Sequence, residues 1–277
     1  GGRRRPVRKA ADPAMTVHPD IHPDIVNRPA MTVPRRGGGD GTYGGFLNLD
    51  ALSAATRDAP DHPDGRFFVM VHQAFEIWFE LIIHELVAAR GHLLADALPD
   101  ALYHLRRVVD VDRLLVTQLD TLESISPASF VSLRPHLGTA SGMQSARFRE
   151  IEYISGLRER DFTNYAALSG AERSRLLRRL REPSLWDAFC AMLGKRGLTD
   201  LARLYDSGRP DSEPLEVAEA LMDHDEAWAM WRIRHAVVIE RIIGRKSGTG
   251  GSTGVSYLNS RRDERFFPKL WAVRTRL

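Results

Sequence analysis

The chain has 277 residues, of which 43% are hydrophobic and 27% are charged, and its formal net charge is +3. This composition excludes a wholly disordered or collagen-like protein. The single cysteine, Cys190, excludes an internal disulfide framework and a four-cysteine metal cluster. No run approaches eighteen apolar residues, so we predict no membrane span and a location in the reducing cytoplasm.

The positive charge is concentrated in residues 1–40, which carry eight basic side chains against four acidic ones. Residues 41–277 are close to neutral, and this does not favour a nucleic-acid partner, because such binding needs a positive face on the folded domain. The first forty residues also hold six of the fifteen prolines. We therefore predict a disordered or arm-like tail over 1–40 and one helical domain over 41–277.

Apolar residues in the body recur every three or four positions, which predicts helices, and strands are hard to find. The fold class expected is therefore all-α, as a single helical domain built around a helix bundle. In chain order, the predicted helices cover 66–94, 101–122, 128–137, 143–154, 184–193, 198–205 and 214–243, followed by a glycine-rich loop and a final aromatic segment.

Several known motifs are excluded by their context. The letters of a dinucleotide fingerprint occur over 39–44, but no strand precedes them. The glycine-rich loop over 246–254 has its lysine at the wrong end for a phosphate-binding loop. No histidine follows an acidic residue by three positions, which excludes the paired Glu-x-x-His motifs of a di-iron bundle.

Two histidines lie on apolar helix faces. His72 is one turn after Phe68, and His235 shares a stripe with Trp228 and Trp231. Each could be an ordinary hydrogen-bonded core residue. Alternatively, the bundle holds a flat metal-containing cofactor, with one histidine bound to the metal and the other poised across from it. The periodicity does not decide between these two interpretations.

Four sequence blocks, in order, resemble the tryptophan 2,3-dioxygenase family over 43–271. They are YGGFL at 43–47, FVMVHQAFEIWF at 68–79, the residues from Phe130 through ASGMQS to Phe148-Arg149, and WRIRH at 231–235 followed by GTGGSTG at 248–254. The resemblance implies an all-α, haem b-dependent homotetramer, ferrous in its active state. Its substrates would be dioxygen and L-tryptophan, and its product N-formyl-L-kynurenine, the first step of tryptophan catabolism by the kynurenine route.

The resemblance also assigns roles to the two histidines and two aromatic residues. His235 corresponds to the proximal haem-iron ligand. His72 corresponds to the distal histidine beside the indole nitrogen, where an acceptor orients the substrate and can also transfer a proton. Phe68 and Phe130 correspond to the aromatic walls around the indole, although periodicity alone is equally typical of core packing.

The polar end of the substrate has its own set of expected contacts. Arg134 corresponds to the arginine that binds the carboxylate, and its planar guanidinium suits that geometry. Thr249 corresponds to the threonine of the glycine-rich loop that contacts the amino-acid head group, and the flanking glycines permit close approach. Ser141 and Gly142 correspond to further pocket-lining positions.

Tyr43 and Phe46 correspond to an aromatic pair that, in the family, enters the site from a neighbouring subunit. Tyrosine is common at the second of these positions, so Phe46 removes one hydroxyl. Met143 stands where phenylalanine is usual, and Gly138-Thr139 where Ser-Pro is frequent. These departures leave a substituted tryptophan open as the substrate.

Two alternatives to the dioxygenase are open, one within haem enzymes and one non-enzymatic. The first is a related haem-dependent monooxygenase that acts on a tryptophan derivative in secondary metabolism. The second is a haem or indole sensor, or a helical interaction protein. Arg134 and Thr249 together resemble a complete substrate clamp, which favours the enzyme over the sensor.

Overall fold

The computed structural model describes residues 41–158, 160–206 and 212–277. The predicted tail over 1–40 lies outside this range, and the boundary at 40/41 stays a prediction. The chain divides into two compact units, Gly1–Ala54 and Ala55–Leu277.

The described part of the first unit consists of two short helices, α1 (Tyr43–Phe46) and α2 (Leu49–Ala54). The Thr42 hydroxyl begins α1 by accepting the Gly45 N–H at 3.1 Å, which satisfies one of the donors left free at a helix start. Neither helix has a buried residue. Their apolar side chains are therefore presented on the surface of this unit.

In the second unit, the part that the structure describes contains helices joined by turns and loops, and no strand. The predicted all-α fold class is confirmed. Its helices are α3 (Gly65–Leu94), α4 (Leu98–Leu122), α5 (Pro127–Leu133), α6 (Ala146–Ser155), α7 (Gly170–Arg181), α8 (Leu185–Lys195), α9 (Ala202–Asp206), α10 (Glu213–Ile243), α11 (Val255–Ser260) and α12 (Pro268–Val273).

Three long helices form the frame of this unit, because α4 packs against both α3 and α10. The helix α3 also packs against α6 and α8. The stripe predicted on α3 is buried where it meets these neighbours, at Phe75, Phe79, Ile82 and Leu86. Its first members, Phe68 and His72, remain half-buried. The helix thus changes from core packing to a partly open wall toward its N-terminal end.

Two predicted helices are interrupted, and both interruptions shape the site. The helix predicted over 128–137 is wrong in its last turn: α5 ends at Leu133, and a 3₁₀ turn, Arg134–Leu137, follows. Pro135 explains this break, because it has no N–H to donate to the carbonyl four residues earlier. The prediction of helix from 143 is also wrong at its start, since α6 begins at Ala146 under a Ser145 cap.

By length and composition alone, α3 could cross a membrane, and it is the one such helix among the residues described. Core helices of soluble proteins meet the same criterion, so the finding is weak evidence. Here α3 carries the buried Glu85, whose carboxylate meets His104 at 2.6 Å. The absence of a membrane span stays a prediction.

The C-terminal segment is fixed to α10 by one buried carboxylate. Asp225 accepts the backbone N–H groups of Phe266 and Phe267, each at 2.9 Å, and the indole N–H of Trp271 at 3.0 Å. Each of these hydrogen bonds involves a charged acceptor, which makes it stronger than a neutral one. Asp225 thereby holds α12 against the same long helix that carries His235.

Candidate active site

The N-terminal half of α3 and the end of α5 bring three aromatic rings together. Phe68 and His72 are one helical turn apart, and their ring centroids are separated by 4.1 Å. Phe130, on α5, lies 6.2 Å from Phe68 between ring centroids. All three side chains are half-buried, as expected for residues that line a cleft.

The hydrogen bonding of His72 fixes its tautomer. Its Nδ1 lies 2.8 Å from the carbonyl oxygen of Phe68. A carbonyl can only accept, so Nδ1 carries the proton and Nε2 of the neutral ring is an acceptor. Burial lowers the pKa of His72, and the Phe68 carbonyl and the Glu76 charge oppose this effect. His72 is therefore neutral near pH 7, with a free acceptor nitrogen.

His235, on α10, is also neutral. Its ring stacks on Trp231 at 4.8 Å between centroids, and no residue that the structure describes hydrogen-bonds to it. Burial lowers the pKa of His235 to about 4, and a positive charge on His72, when that ring is protonated, acts in the same direction. Trp231 also meets Phe75, the α3 residue three positions after His72, edge-on at 6.3 Å between ring centroids. His235 thus presents unprotonated nitrogen in a region shared with His72.

Large aromatic side chains pack around Trp231, the residue on which His235 stacks. Trp231 stacks on Trp228 at 5.9 Å and lies 5.2 Å from Phe148, while Phe79 approaches it edge-on at 6.4 Å. The indole nitrogens of Trp228 and Trp231 are buried without a hydrogen-bond partner in the described part of the chain. Apart from these two nitrogens the wall is made of aromatic carbon, which suits a flat hydrophobic group better than a polar one.

Arg134 lies at the junction between α5 and the 3₁₀ turn, one turn after Phe130. Its Nη2 donates to the backbone carbonyl of Ser247 at 2.6 Å. Arg134 and Thr249 line one cleft of about 380 Å³, together with Val131, Pro135 and Gly138. The cleft therefore has the guanidinium of Arg134 and the hydroxyl-bearing side chain of Thr249 in its lining.

The glycine-rich loop is fastened to the segment before α6. Thr249 Oγ1 donates to the carbonyl of Ala140 at 2.6 Å. A Cβ on Gly250 would lie only 2.5 Å from the Cβ of Ser141, so a side chain there could not fit without displacement. The hydroxyl of Tyr165 donates to the carbonyl of Gly250 at 3.3 Å. The loop is thus held in contact with the predicted pocket residues.

The structure joins most of the predicted site residues, although their roles stay predictions. One connected series of contacts or adjacent turns links the predicted residues: His235, Trp231, Phe75, His72, Phe68, Phe130, Arg134 and Thr249. Ser141 meets the loop at Gly250. Gly142, which is exposed, begins the 3₁₀ turn Gly142–Gln144 beside them. Tyr43 and Phe46 belong to the first unit, where they are 76% and 84% exposed.

Sequence reasoning missed two residues that support this site. Arg147, at the start of α6, pairs with Glu80 at 2.6 Å and Glu76 at 3.3 Å. Tyr165 holds the loop as described above. The spacing of His72, Glu76 and Glu80 by four residues was a visible signal for a charged row on α3, but nothing in the sequence indicated its arginine partner.

A second constellation has the connectivity of a hydrolase triad. His224 lies 3.0 Å from Ser155 Oγ through Nε2 and 2.6 Å from Asp112 Oδ2 through Nδ1. All three residues are buried, with exposures of 0%, 0% and 1% for His224, Ser155 and Asp112. A substrate cannot reach this hydroxyl, so the trio ties α4, α6 and α10 together rather than forming a nucleophilic site.

Another cavity, of about 270 Å³, is lined by Trp186, Cys190 and Lys269 among others. Burial raises the pKa of the Cys190 thiol, so it is not an activated nucleophile. Within the described ranges, no group of three or more His, Cys, Asp or Glu residues could hold a metal ion. A haem iron differs, because the porphyrin supplies most of its ligands and the protein needs to supply one.

Comparison with known proteins identifies the family to which the chain belongs. The family model described as tryptophan 2,3-dioxygenase matches residues 30–200 and 197–277. A tryptophan 2,3-dioxygenase of Nocardioides sp. is 40% identical over 258 residues, which cover 85% of this chain and 94% of the relative. One of Myxococcus xanthus is 34% identical over 286 residues, or 93% of this chain and 94% of the relative. The predicted family and oxidoreductase class are confirmed: the chain belongs to the tryptophan 2,3-dioxygenase family.

Proposed function

We propose that the protein is a haem-dependent dioxygenase that inserts both atoms of dioxygen across the indole C2–C3 bond of L-tryptophan and releases N-formyl-L-kynurenine. The family membership and the names of the relatives support this activity. The geometry supports it through the aromatic pair Phe68 and Phe130, the neutral imidazole acceptor beside them, and an arginine one turn after Phe130. The proposal places the enzyme at the first step of tryptophan catabolism.

The residues around His235 fit a haem b group. An axial ligand must offer an unprotonated nitrogen, and burial lowers the pKa of His235 to about 4. Its ring has no competing hydrogen bond from the described residues, and it is backed by the stacked Trp231 and Trp228. His235 would hold the haem iron, and His72 would orient the substrate. Ferrous haem, when bound, supplies the activation of dioxygen.

The indole would be oriented by α3 and α5. Phe68 and Phe130, with ring centroids 6.2 Å apart, give it apolar walls. His72 would accept the indole N–H at Nε2, because its Nδ1 already donates to the Phe68 carbonyl. Leaving a buried donor unpaired costs on the order of 1–3 kcal/mol, so this single acceptor favours indoles with a free N–H.

The charged head group would be bound in the cleft lined by Arg134 and Thr249. Arg134 donates to the Ser247 carbonyl at 2.6 Å, and a substrate carboxylate would take over one of its donors through a stronger, charge-assisted hydrogen bond. Thr249 and the adjoining loop would cover the head group and exclude water. Ser141 and Gly142 would complete the head-group site. The residues of the chain therefore position the substrate and exclude water from it, and none of them is required as a general base.

We further propose that the protein acts in the cytoplasm as a homotetramer without a nucleic-acid or membrane partner. In such an assembly, Tyr43 and Phe46 would complete the site of a neighbouring subunit. Their exposure on α1 makes both aromatic rings available for that contact. Light scattering of the purified protein tests the assembly, and a monomer with full activity would contradict this role.

The observation that carries the proposal is the neutral His72, whose Nδ1 lies 2.8 Å from the Phe68 carbonyl oxygen and whose other ring nitrogen is a free acceptor beside the Phe68 ring. The test is to reduce the haem-loaded protein without oxygen, add L-tryptophan and isotopically labelled dioxygen, and determine the molecular mass of the product by mass spectrometry. Two labelled atoms in a ring-opened product support the dioxygenase. One labelled atom supports the monooxygenase alternative, and bound haem without turnover of any indole amino acid supports the sensor.

A further inference from the structure

His72 has an acidic neighbour on its own helix. Glu76 follows it by four residues on α3, a spacing that places the two side chains on one face about 5–6 Å apart at Cβ. A free carboxylate at this position could pair with the imidazole. That pairing would favour a protonated ring and would occupy the nitrogen needed for the substrate.

Arg147 holds this carboxylate from the opposite side. Its Nη1 lies 3.3 Å from Glu76 Oε2, and its Nε lies 2.6 Å from Glu80 Oε2. Arg147 is in the first turn of α6, which packs directly against α3. One guanidinium therefore bridges two successive acidic turns of the helix that carries His72. The bridge directs Glu76 toward α6.

The other groups around His72 do not replace this function. The helix α10 contributes His235, which is neutral. The helix α4 contributes Gln118, whose uncharged amide donates to the Val71 carbonyl at 3.2 Å. On the α5 side, the next charged group after Phe130 is Arg134, and its guanidinium is directed to Ser247. Glu76 is the carboxylate whose charge acts on His72.

We propose that Arg147 is a positioning residue that withholds the Glu76 carboxylate from His72, so that His72 keeps a free acceptor nitrogen for the substrate's indole N–H at mildly acidic pH. The inference rests on the proposed function for the identity of the substrate. The effect of Arg147 on His72 is independent of the proposed function, because it depends only on the side chains of Arg147, Glu76 and His72. Arg147 itself does not contact the substrate.

The direct test is an NMR titration of protein labelled with ¹³C at the histidine Cε1. Spectra are recorded on the reduced, carbon monoxide-treated protein, so that any bound iron is diamagnetic. The His72 signal is identified by its loss in His72→Gln. In Arg147→Gln we expect the protonated-to-neutral ratio of His72 at a given acidic pH to rise about threefold, a modest effect because the pair is partly exposed.

Three variants separate this effect from a general loss of structure. Arg147→Lys keeps the positive charge and should titrate like the parent. The double variant Arg147→Gln/Glu76→Gln should also return to the parent value. The matched control is Arg175→Gln on α7. It breaks an ion pair of 2.8 Å between the half-exposed Arg175 and the buried Glu150 of α6, and it should leave the His72 titration unchanged.

Kinetics provide the second measurement. Between pH 8 and pH 6, KM for L-tryptophan should rise about threefold more in Arg147→Gln than in the parent, and the double variant should abolish this difference. An unshifted His72 signal in Arg147→Gln, or a shift that persists in the double variant, would overturn the inference. If Arg147→Gln does not fold, Glu76→Gln decides: a large change in the His72 titration would show that Arg147 had not withheld the carboxylate.

These outcomes also separate the inference from the proposed function. A shifted His72 signal in a protein that does not oxidise L-tryptophan would leave the role of Arg147 intact and refute the proposed substrate. Tryptophan oxidation with an unshifted signal would leave the function intact and refute the role of Arg147.

Discussion

The contact between Gly250 and Ser141 offers a sharp test of the loop's role. Gly250→Ala would place a Cβ 2.5 Å from the Ser141 Cβ and 3.0 Å from its Oγ. The two Cβ atoms must separate by about 1 Å to reach ordinary contact, and such overpacking costs about 1–3 kcal/mol. Because Thr249 is the adjacent residue, we expect the displaced loop to raise KM for L-tryptophan by about 5- to 150-fold.

The assay is steady-state kinetics on a set of matched variants. Ser141→Gly in the Gly250→Ala background removes the obstructing Cβ and should restore most of the lost affinity, because glycine is a tolerable N-cap. Ser141→Ala keeps the Cβ and should restore none. Gly91→Ala, where an added Cβ meets no atom within 4 Å, controls for the change of residue type. An unaltered KM in Gly250→Ala would refute the idea that loop position determines substrate binding.

Four further predictions follow from individual contacts. Arg134→Lys should raise KM for L-tryptophan by about tenfold or more in steady-state kinetics, because lysine lacks the planar pair of donors; an unchanged KM would mean that the carboxylate is bound elsewhere. His235→Ala should lose haem, measured as absorbance at the haem maximum per protein; full haem content would contradict the assignment. Asp225→Ala should destabilise the fold by about 3 kcal/mol in urea unfolding, because two buried donors and one part-buried donor lose their acceptor. A much smaller loss would show that the segment is held by packing. Finally, the haem-free protein should lose stability as pH falls from about 6.5 to about 4, since unfolded His235 takes up a proton that the folded ring does not; His235→Leu should reduce this dependence.

The long helices were predictable because their apolar stripes are continuous. The prediction of 66–94 agrees with α3 (Gly65–Leu94) within one residue at its start, and 214–243 agrees equally well with α10 (Glu213–Ile243). The helix α7 (Gly170–Arg181) was not predicted, because it is rich in arginine and buries only Leu176. Its capping box, formed by Ser169 and Glu172, was the available signal.

The predicted site residues came from motifs, and a motif names side chains rather than the atoms that hold them in place. Arg134 and Thr249 were predicted, but their partners are the carbonyls of Ser247 and Ala140, at sequence separations of 113 and 109 residues. Because every residue has a backbone carbonyl, the amino-acid sequence does not indicate which carbonyl will be the hydrogen-bond partner. For the same reason, exchanging Ser247 or Ala140 for another residue should disturb the cleft less than moving the backbone beneath it, as Gly250→Ala would do.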